Sequence, residues 1–394
     1  MEVREGYKKT EVGVIPGDWE VKPLEYLCKP SGLVRGPFGG ALKKEYFVKS
    51  GYKVYEQRNA IYKNSNIGNY YINKDKFEEL ARFAVKQGDF IISCSGTIGK
   101  IFQIPKNHKQ GVINQALLKL TIDSSKAVDK FFEVYFSWDR FQDKIIDSTQ
   151  GGAMKNLVGM DVFKKTLVAI PPLSEQQAIA AALSDVDNLI SSLTKLINKK
   201  INIKQGVMQE LLTGRKRLNG FTGKWKEVRL GDILEVCHGK SQHDIVDNNG
   251  KYPILATSGE IGRTDIFIYN KPSVLIGRKG TIDKPQYMDL PFWTIDTLFY
   301  TKIHEDHYPK YLYYLFCTID WLLYNEASGV PSLSARTIEM VEIKIPQYRE
   351  QTAIANILSD MDAEIEALEQ RLNKYKAIKQ GMMHELLTGR IRLI

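Results

Sequence analysis

Apolar residues in the middle of this chain fall into a seven-residue rhythm. Ile179, Val186 and Leu193 recur every seven positions, and Leu183, Ile190 and Ile197 follow each of them by four. That is the spacing of the inward-facing a and d positions of a coiled coil. The rhythm returns as Ile354, Met361 and Leu368, with Leu358, Ile365 and Leu372 behind them. The first stretch predicts one helix from Glu175 to Thr213, which at 1.5 Å per residue is a rod of roughly 58 Å. Pro171 and Pro172 precede it, and Ser174 with Gln177 has the spacing of a capping box. Gly214, or Gly389 in the second copy, supplies a residue that tolerates a left-handed backbone after the last turn. Arg349 stands at the capping position of the second copy, so that start is set less sharply. A long helix with one stripe of Ile and Leu needs a partner, and the other copy is the nearest one.

The two helices are duplicates. "IKQGVMQELLTGRKRL" from Ile203 and "IKQGMMHELLTGRIRL" from Ile378 share thirteen of sixteen residues at an offset of 175. Upstream, "IPPLSEQQAIAAALSDVDNLI" from Ile170 aligns with "IPQYREQTAIANILSDMDAEI" from Ile345 at the same offset. Because the offset is a multiple of seven, both copies keep one heptad phase. The chain therefore divides into residues 1–169, a helical region 170–218, residues 219–344 and a second helical region 345–394. The intervening segment leaves the end of one helix and enters the start of the other, and the termini of a compact domain lie close together. The helices are thus expected to run antiparallel, with pseudo-twofold symmetry. Gly206 and Gly381 each cost about 1 kcal/mol relative to Ala inside a helix. Their equivalent placement suggests close backbone approach, between the rods or to a partner, against the plainer reading of tolerated surface glycines.

The segments 1–169 and 219–344 share an outline. Each opens on a Trp-led strand pattern, "WEVKPLEYL" and "WKEVRLGDIL". Each then reaches a β-rich run ending in a glycine turn, "GDFIISCSGTIGK" and "PSVLIGRKGTIDK", followed by "INQALLKL" and "IDTLFYTK". Each closes on an aromatic helical stretch, near Tyr135 and near Trp321, that reads as a core face rather than a base-stacking platform. The expected fold class is α+β: two globular α/β domains joined by two long antiparallel coiled-coil helices.

Composition narrows the partners. The chain has 394 residues, 43% hydrophobic and 26% charged, with a net charge of +9 that favours an anionic partner without requiring one. Cys28, Cys94, Cys237 and Cys317 lie far apart with no CxxC pair, which argues against a disulfide framework or zinc ribbon and fits a reducing cytoplasm. No run of eighteen apolar residues occurs, so no membrane is expected.

The alternation of unlike domains with like helical regions, in which "IPPLSEQQAIAAALSDVD" leads into "KQGVMQELLTGRKR", resembles the specificity (S) subunit of type I restriction-modification enzymes. "RGPFGGALKKEYFVKSGYKV" from Arg35 also resembles a stretch of that family's first target-recognition domain. The resemblance implies that 1–169 and 219–344 are DNA target-recognition domains and that the helices are the spacer between them. It implies further that two methyltransferase subunits assemble on the chain, and that endonuclease/translocase subunits complete the restriction complex. S-adenosylmethionine would then belong to the methyltransferase subunits, with no cofactor in this chain.

The residues agree with a non-catalytic role. No Asn/Asp-Pro-Pro-aromatic loop is present, and "GTIGK" lacks the spacing of a phosphate loop and reads as a β-turn. His238 with His243, and His304 with His307, have no helical period and no acidic third ligand, so they read as loop histidines. No Pro-Asp…Glu-x-Lys cluster suggests a nuclease. Reading duplex DNA needs Arg or Lys for phosphates and guanine, Asn or Gln for adenine, and Ser or Thr as adaptable donors, carried on loops. The glycine turns and the loops before the helices offer Arg35, Ser95, Thr97, Lys100, Gln115, Lys155 and Asn156 in the first domain. In the second they offer Arg278, Lys279, Thr281, Lys284, Ser332, Ser334 and Arg336. Two unlike readers on one rod predict an asymmetric, bipartite target with more than one duplex turn, roughly 34–36 Å, between its halves. The alternatives are a self-contained methyltransferase or nuclease with an unrecognised motif, and a coiled-coil adaptor that does not bind DNA.

Overall fold

The computed structural model describes residues 4–147 and 156–393. The chain forms two compact units, Met1–Ser191 with Asn373–Ile394, and Ser192–Leu372. Both long helices cross from one unit to the other. The central helix spans Leu173–Leu211 and the C-terminal helix Tyr348–Leu387. The central helix thus begins immediately after Pro172, which places Ser174, itself exposed, inside its first turn and not at a cap. A proline directly before the first turn sets the boundary there without a side-chain cap.

In the first unit the strands Cys28–Arg35, Leu117–Ile122, Phe90–Ser93 and Ile101–Gln103 lie side by side in that order, all antiparallel. Phe90–Ser93 is buried along its whole length, which explains why its residues show no alternation of apolar and polar. A second sheet orders Tyr71–Ile72, Tyr52–Tyr55 and Gly111–Ile113, its last pair parallel. Strands Glu20–Pro23 and Leu167–Ile170 pair where the chain enters the central helix. The aromatic helix Asp129–Phe136 buries Phe131, Phe132, Tyr135 and Phe136, so this stretch is core as expected.

The second unit repeats this plan strand for strand. Leu234–Cys237, Leu298–Ile303, Ser273–Gly277 and Gln286–Met288 form the four-stranded sheet. Gly259–Thr264, Tyr252–Ala256 and Trp293–Thr294 form the three-stranded one, again with a parallel last pair. Lys226–Arg229 pairs with Glu342–Ile345. Helix Pro309–Phe316 buries Tyr311, Leu312, Tyr314, Leu315 and Phe316 in its core, and Trp321 is buried there too. The outline shared by the two sequences is therefore one topology used twice.

The helices run antiparallel in each unit. In the first, Asp187 pairs with Lys379 at 2.6 Å and Glu175 with Arg392 at 2.7 Å. In the second, Lys200 pairs with Glu364 at 2.6 Å, Lys204 with Asp362, and Arg217 with Glu350 at 2.6 Å. Partners descend along one helix as they ascend along the other. The heptad positions are shielded: Ile179, Leu183, Leu193, Ile197, Ile354 and Leu358 are buried, while Val186, Ile190, Met361, Ile365, Leu368 and Leu372 are half-buried. Helix ends also enter the globular cores. Ile179, Leu183, Met383, Leu386 and Leu387 belong to the first unit's core, and Leu211, Leu212, Ile354 and Leu358 to that of the second.

Candidate nucleic-acid interface

In the first domain three loops meet at one end of the four-stranded sheet. The turn after Phe90–Ser93 closes through Ser93 N–H to Lys100 O at 2.9 Å and Lys100 N–H to Ser93 Oγ at 3.0 Å. Gly99 sits at φ +73°, a left-handed backbone that favours glycine, and a Cβ there would require the Gln142 amide to move aside. "GTIGK" is thus a tight turn between strands. Cys94 N–H donates to Ala116 O at 2.9 Å, and Gly36 N–H to Leu117 O at 2.9 Å. Those two bonds bring Arg35, Ser95, Thr97 and Gln115 onto adjoining loops, with Lys100 at the base of the turn. Thr97, Lys100 and Gln115 are exposed, and Arg35 and Ser95 half-buried. Beside Arg35 stands Phe38, 72% exposed, with the guanidinium 6.0 Å from its ring centre. Lys155 lies outside the described residues. Asn156 is placed only by its backbone, in a short ladder opposite Asp147.

The second domain stitches the equivalent turn to its pre-helix loop. Leu333 N–H donates to Arg278 O at 3.0 Å, Gly280 N–H to Pro331 O at 2.9 Å, and Lys279 bridges Ser332 through the backbone. Arg278, Lys279, Ser332, Ser334 and Arg336 consequently line one cleft, together with Glu326. Half-buried Thr281 and exposed Lys284 lie further along the turn. The Ser334 side chain is committed internally. It caps the short helix Ala335–Glu339 by accepting from Thr337 N–H at 3.1 Å, and its hydroxyl donates to Glu326 Oε1 at 2.9 Å. Hydrogen bonds from Thr337 first, then Ser334, hold the Glu326 carboxyl below the usual range. A sequence search for cations and amides passes over Glu326, because its meaning comes from the loop folding back on Arg278.

The Glu-Gln pair repeated at each helix start, Glu175-Gln176 and Glu350-Gln351, ties the helices to the globular parts. Glu175, 1% exposed, accepts from Trp19 Nε1 at 2.8 Å and from Arg392 Nε and Nη2 at 2.7 and 2.8 Å. Arg392 also grips Asp18, whose carboxyl it lowers. Glu350, the duplicate of Glu175, accepts from Arg217, the duplicate of Arg392, at 2.6 and 2.7 Å. Each copy's Glu is therefore paired with the other copy's Arg. Gln176 accepts from Val128 N–H at 2.9 Å and donates to Pro171 O at 2.9 Å. Gln351 does the same with Tyr308 N–H at 2.9 Å and Pro346 O at 3.0 Å. Val128 and Tyr308 start the aromatic helices, so the glutamines fix each domain to its rod.

Gly214 and Gly389 take positive φ, as their C′ role demands. A Cβ at Gly389 would stand 2.4 Å from Pro16. Gly206 and Gly381 behave differently: a Cβ on either meets nothing within 4 Å. The close approach considered between the rods is absent there, and both glycines face open space.

Residues 16–203 and 222–377 match the family described as type I restriction modification DNA specificity domain. The chain belongs to this family. Over 99% of its length it is 24% identical to the putative type I restriction enzyme MjaX specificity subunit of Methanocaldococcus jannaschii, covering 97% of that protein. It is also 24% identical to the MjaVIII specificity subunit of the same organism, covering 99% of this chain and 96% of that one. Its fold is similar to the crystal structure of a type I restriction-modification S subunit from M. genitalium, with TM-score 0.60, 18% identity and 98% of each chain covered. A chain from a structural study of complex assembly and conformational transition of the type I R-M system matches with TM-score 0.59, at 15% identity over 96% of this chain and 99% of that one.

Proposed function

We propose that this chain is the non-catalytic reader of a type I restriction-modification complex. Its two domains grip the halves of an asymmetric, bipartite DNA target, and its helices hold two methyltransferase subunits, through which endonuclease subunits join. The methyltransferase subunits bind S-adenosylmethionine and transfer the methyl group. The observation that carries this reading is the combination of a shared topology with unlike chemistry at equivalent turns: Cys94-Ser95-Gly96-Thr97 in one domain, Arg278-Lys279-Gly280-Thr281 in the other. One scaffold presenting two surfaces suits two unlike half-sites.

Twofold docking is supported by the duplicated exposed faces of the helices, where Ile203 with Gly206 recurs as Ile378 with Gly381. Like surfaces accept like partners. Mapping methylated adenines in DNA exposed to the assembled complex tests the proposal: the expected motif has two different halves and a fixed gap, and a continuous or palindromic motif refutes it. Methyl transfer by the purified chain alone would point to a self-contained enzyme. A DNA affinity of the complex that ignored ionic strength would point to an adaptor, because phosphate contacts make affinity fall steeply with salt.

A further inference from the structure

The cleft of the second domain holds an acid among its cations. Glu326 is exposed, and Arg278, Lys279 and Arg336 line the same cleft, yet it forms no ion pair among the described residues. Two hydroxyls orient it instead, Ser334 at 2.9 Å and Thr337, both donating to Oε1. Its backbone is also held, with Glu326 N–H donating to Ser332 O at 3.0 Å. A carboxylate has about four acceptor sites, so it retains capacity after these two bonds. Facing a phosphate it would repel. Facing base edges it meets the exocyclic amino groups of cytosine and adenine, which only donate. Cations around such an acid position the backbone, while the acid itself discriminates.

We propose that Glu326 reads a base in the half-site of the second domain, accepting a hydrogen bond in the major groove from cytosine N4 or adenine N6. This rests on the chain's role as a DNA specificity subunit.

The test uses the full chain assembled with its methyltransferase subunits, as wild type, E326Q and E326A. Each complex methylates a library of duplexes with randomised half-sites, and methylated molecules are sequenced. Wild type should require cytosine or adenine at one position of one half-site, and which of the two appears distinguishes the sources of the amino group. E326A should lose discrimination there by about tenfold or more, with every other position unchanged. E326Q keeps an oxygen for Ser334 and Thr337 but offers an amide N–H, so it should admit guanine or thymine, whose groove edges carry acceptors. Co-purification with the methyltransferase subunits shows whether E326A folds, and E326Q carries the test if it does not. An unchanged motif in the folded variants, or equal weakening on all sequences, would mean that the carboxylate only braces its loop, and overturns the proposal. A wild-type complex with no sequence-specific methylation would refute the specificity-subunit reading itself.

Discussion

Arg392 closes the first unit from the far end of the chain. Its guanidinium neutralises Glu175, a carboxylate with no exposed side-chain surface, and it stacks 5.9 Å from the centre of the Trp19 ring. Removing one partner of a buried pair leaves the other charge uncompensated. Arg392→Ala is expected to destabilise the chain by about 3–5 kcal/mol, read as a shift in the urea unfolding midpoint. His307 gives a pH dependence. Its Nδ1 lies 3.2 Å from Gln351 Nε2, so it accepts only while that nitrogen is unprotonated. Burial holds the imidazole below its ordinary 6.5, with Asp306 opposing and His304 and Lys226 assisting. The unfolded chain then binds a proton more readily than the folded one. The His307 contribution to stability is therefore complete above pH 6.5 and declines as pH falls from there through the folded-state value. His307→Asn should flatten that decline in unfolding free energies measured between pH 5 and 7.5; an unaltered slope would assign the pH dependence to other groups.

At the scale of elements, legibility followed the length of the pattern. The long helices repeat one period over 39 and 40 residues, so the seam could be read directly. Their starts were less legible because the Glu-Gln pairs bind side chains and backbone from the globular domains, which no helical period encodes. Strands such as Phe90–Ser93 and Tyr52–Tyr55 have four residues each and are largely buried, so the first shows in sequence only as an apolar run and the second is masked by the buried Lys53. The glycine turns were visible through their Gly residues. Glu326 was not, because its place depends on a loop returning to the Arg278 turn from a distant part of the chain. Gly206 and Gly381 illustrate the same limit: their helical cost is legible, but the empty space beside them is not. Since an added Cβ meets no atom of this chain, Gly206→Ala and Gly381→Ala should each stabilise the isolated chain by about 1 kcal/mol through helix propensity alone. If these positions are where a methyltransferase subunit approaches the backbone, the same substitutions should weaken its binding, and titration calorimetry with that subunit separates the two effects. Stabilisation with unchanged binding would leave them as plain surface glycines.

For the whole molecule, the crossed pairing makes one mechanical prediction. Glu175 with Arg392 and Glu350 with Arg217 place a bracket in each unit, and the helices run from one bracket to the other. If these helices set the gap between the two DNA half-sites, lengthening both by one heptad should lengthen the gap. Insertions between Ser191 and Ser192 and between Leu372 and Asn373 fall where the chain passes from unit to unit, so both brackets and the heptad phase survive. Seven residues add about 10 Å of helix, or about three base pairs of duplex. Sequencing of methylated DNA should then show the same two half-sites with a spacer longer by about that amount. Inserting the heptad into one helix only is the informative control. It puts the two helices out of step by two turns, so the Glu175–Arg392 and Arg217–Glu350 brackets cannot both close, and a marked loss of thermal stability should accompany loss of methylation. A double insertion that folds, methylates and leaves the spacer unchanged would show that something other than the paired helices measures the distance along DNA.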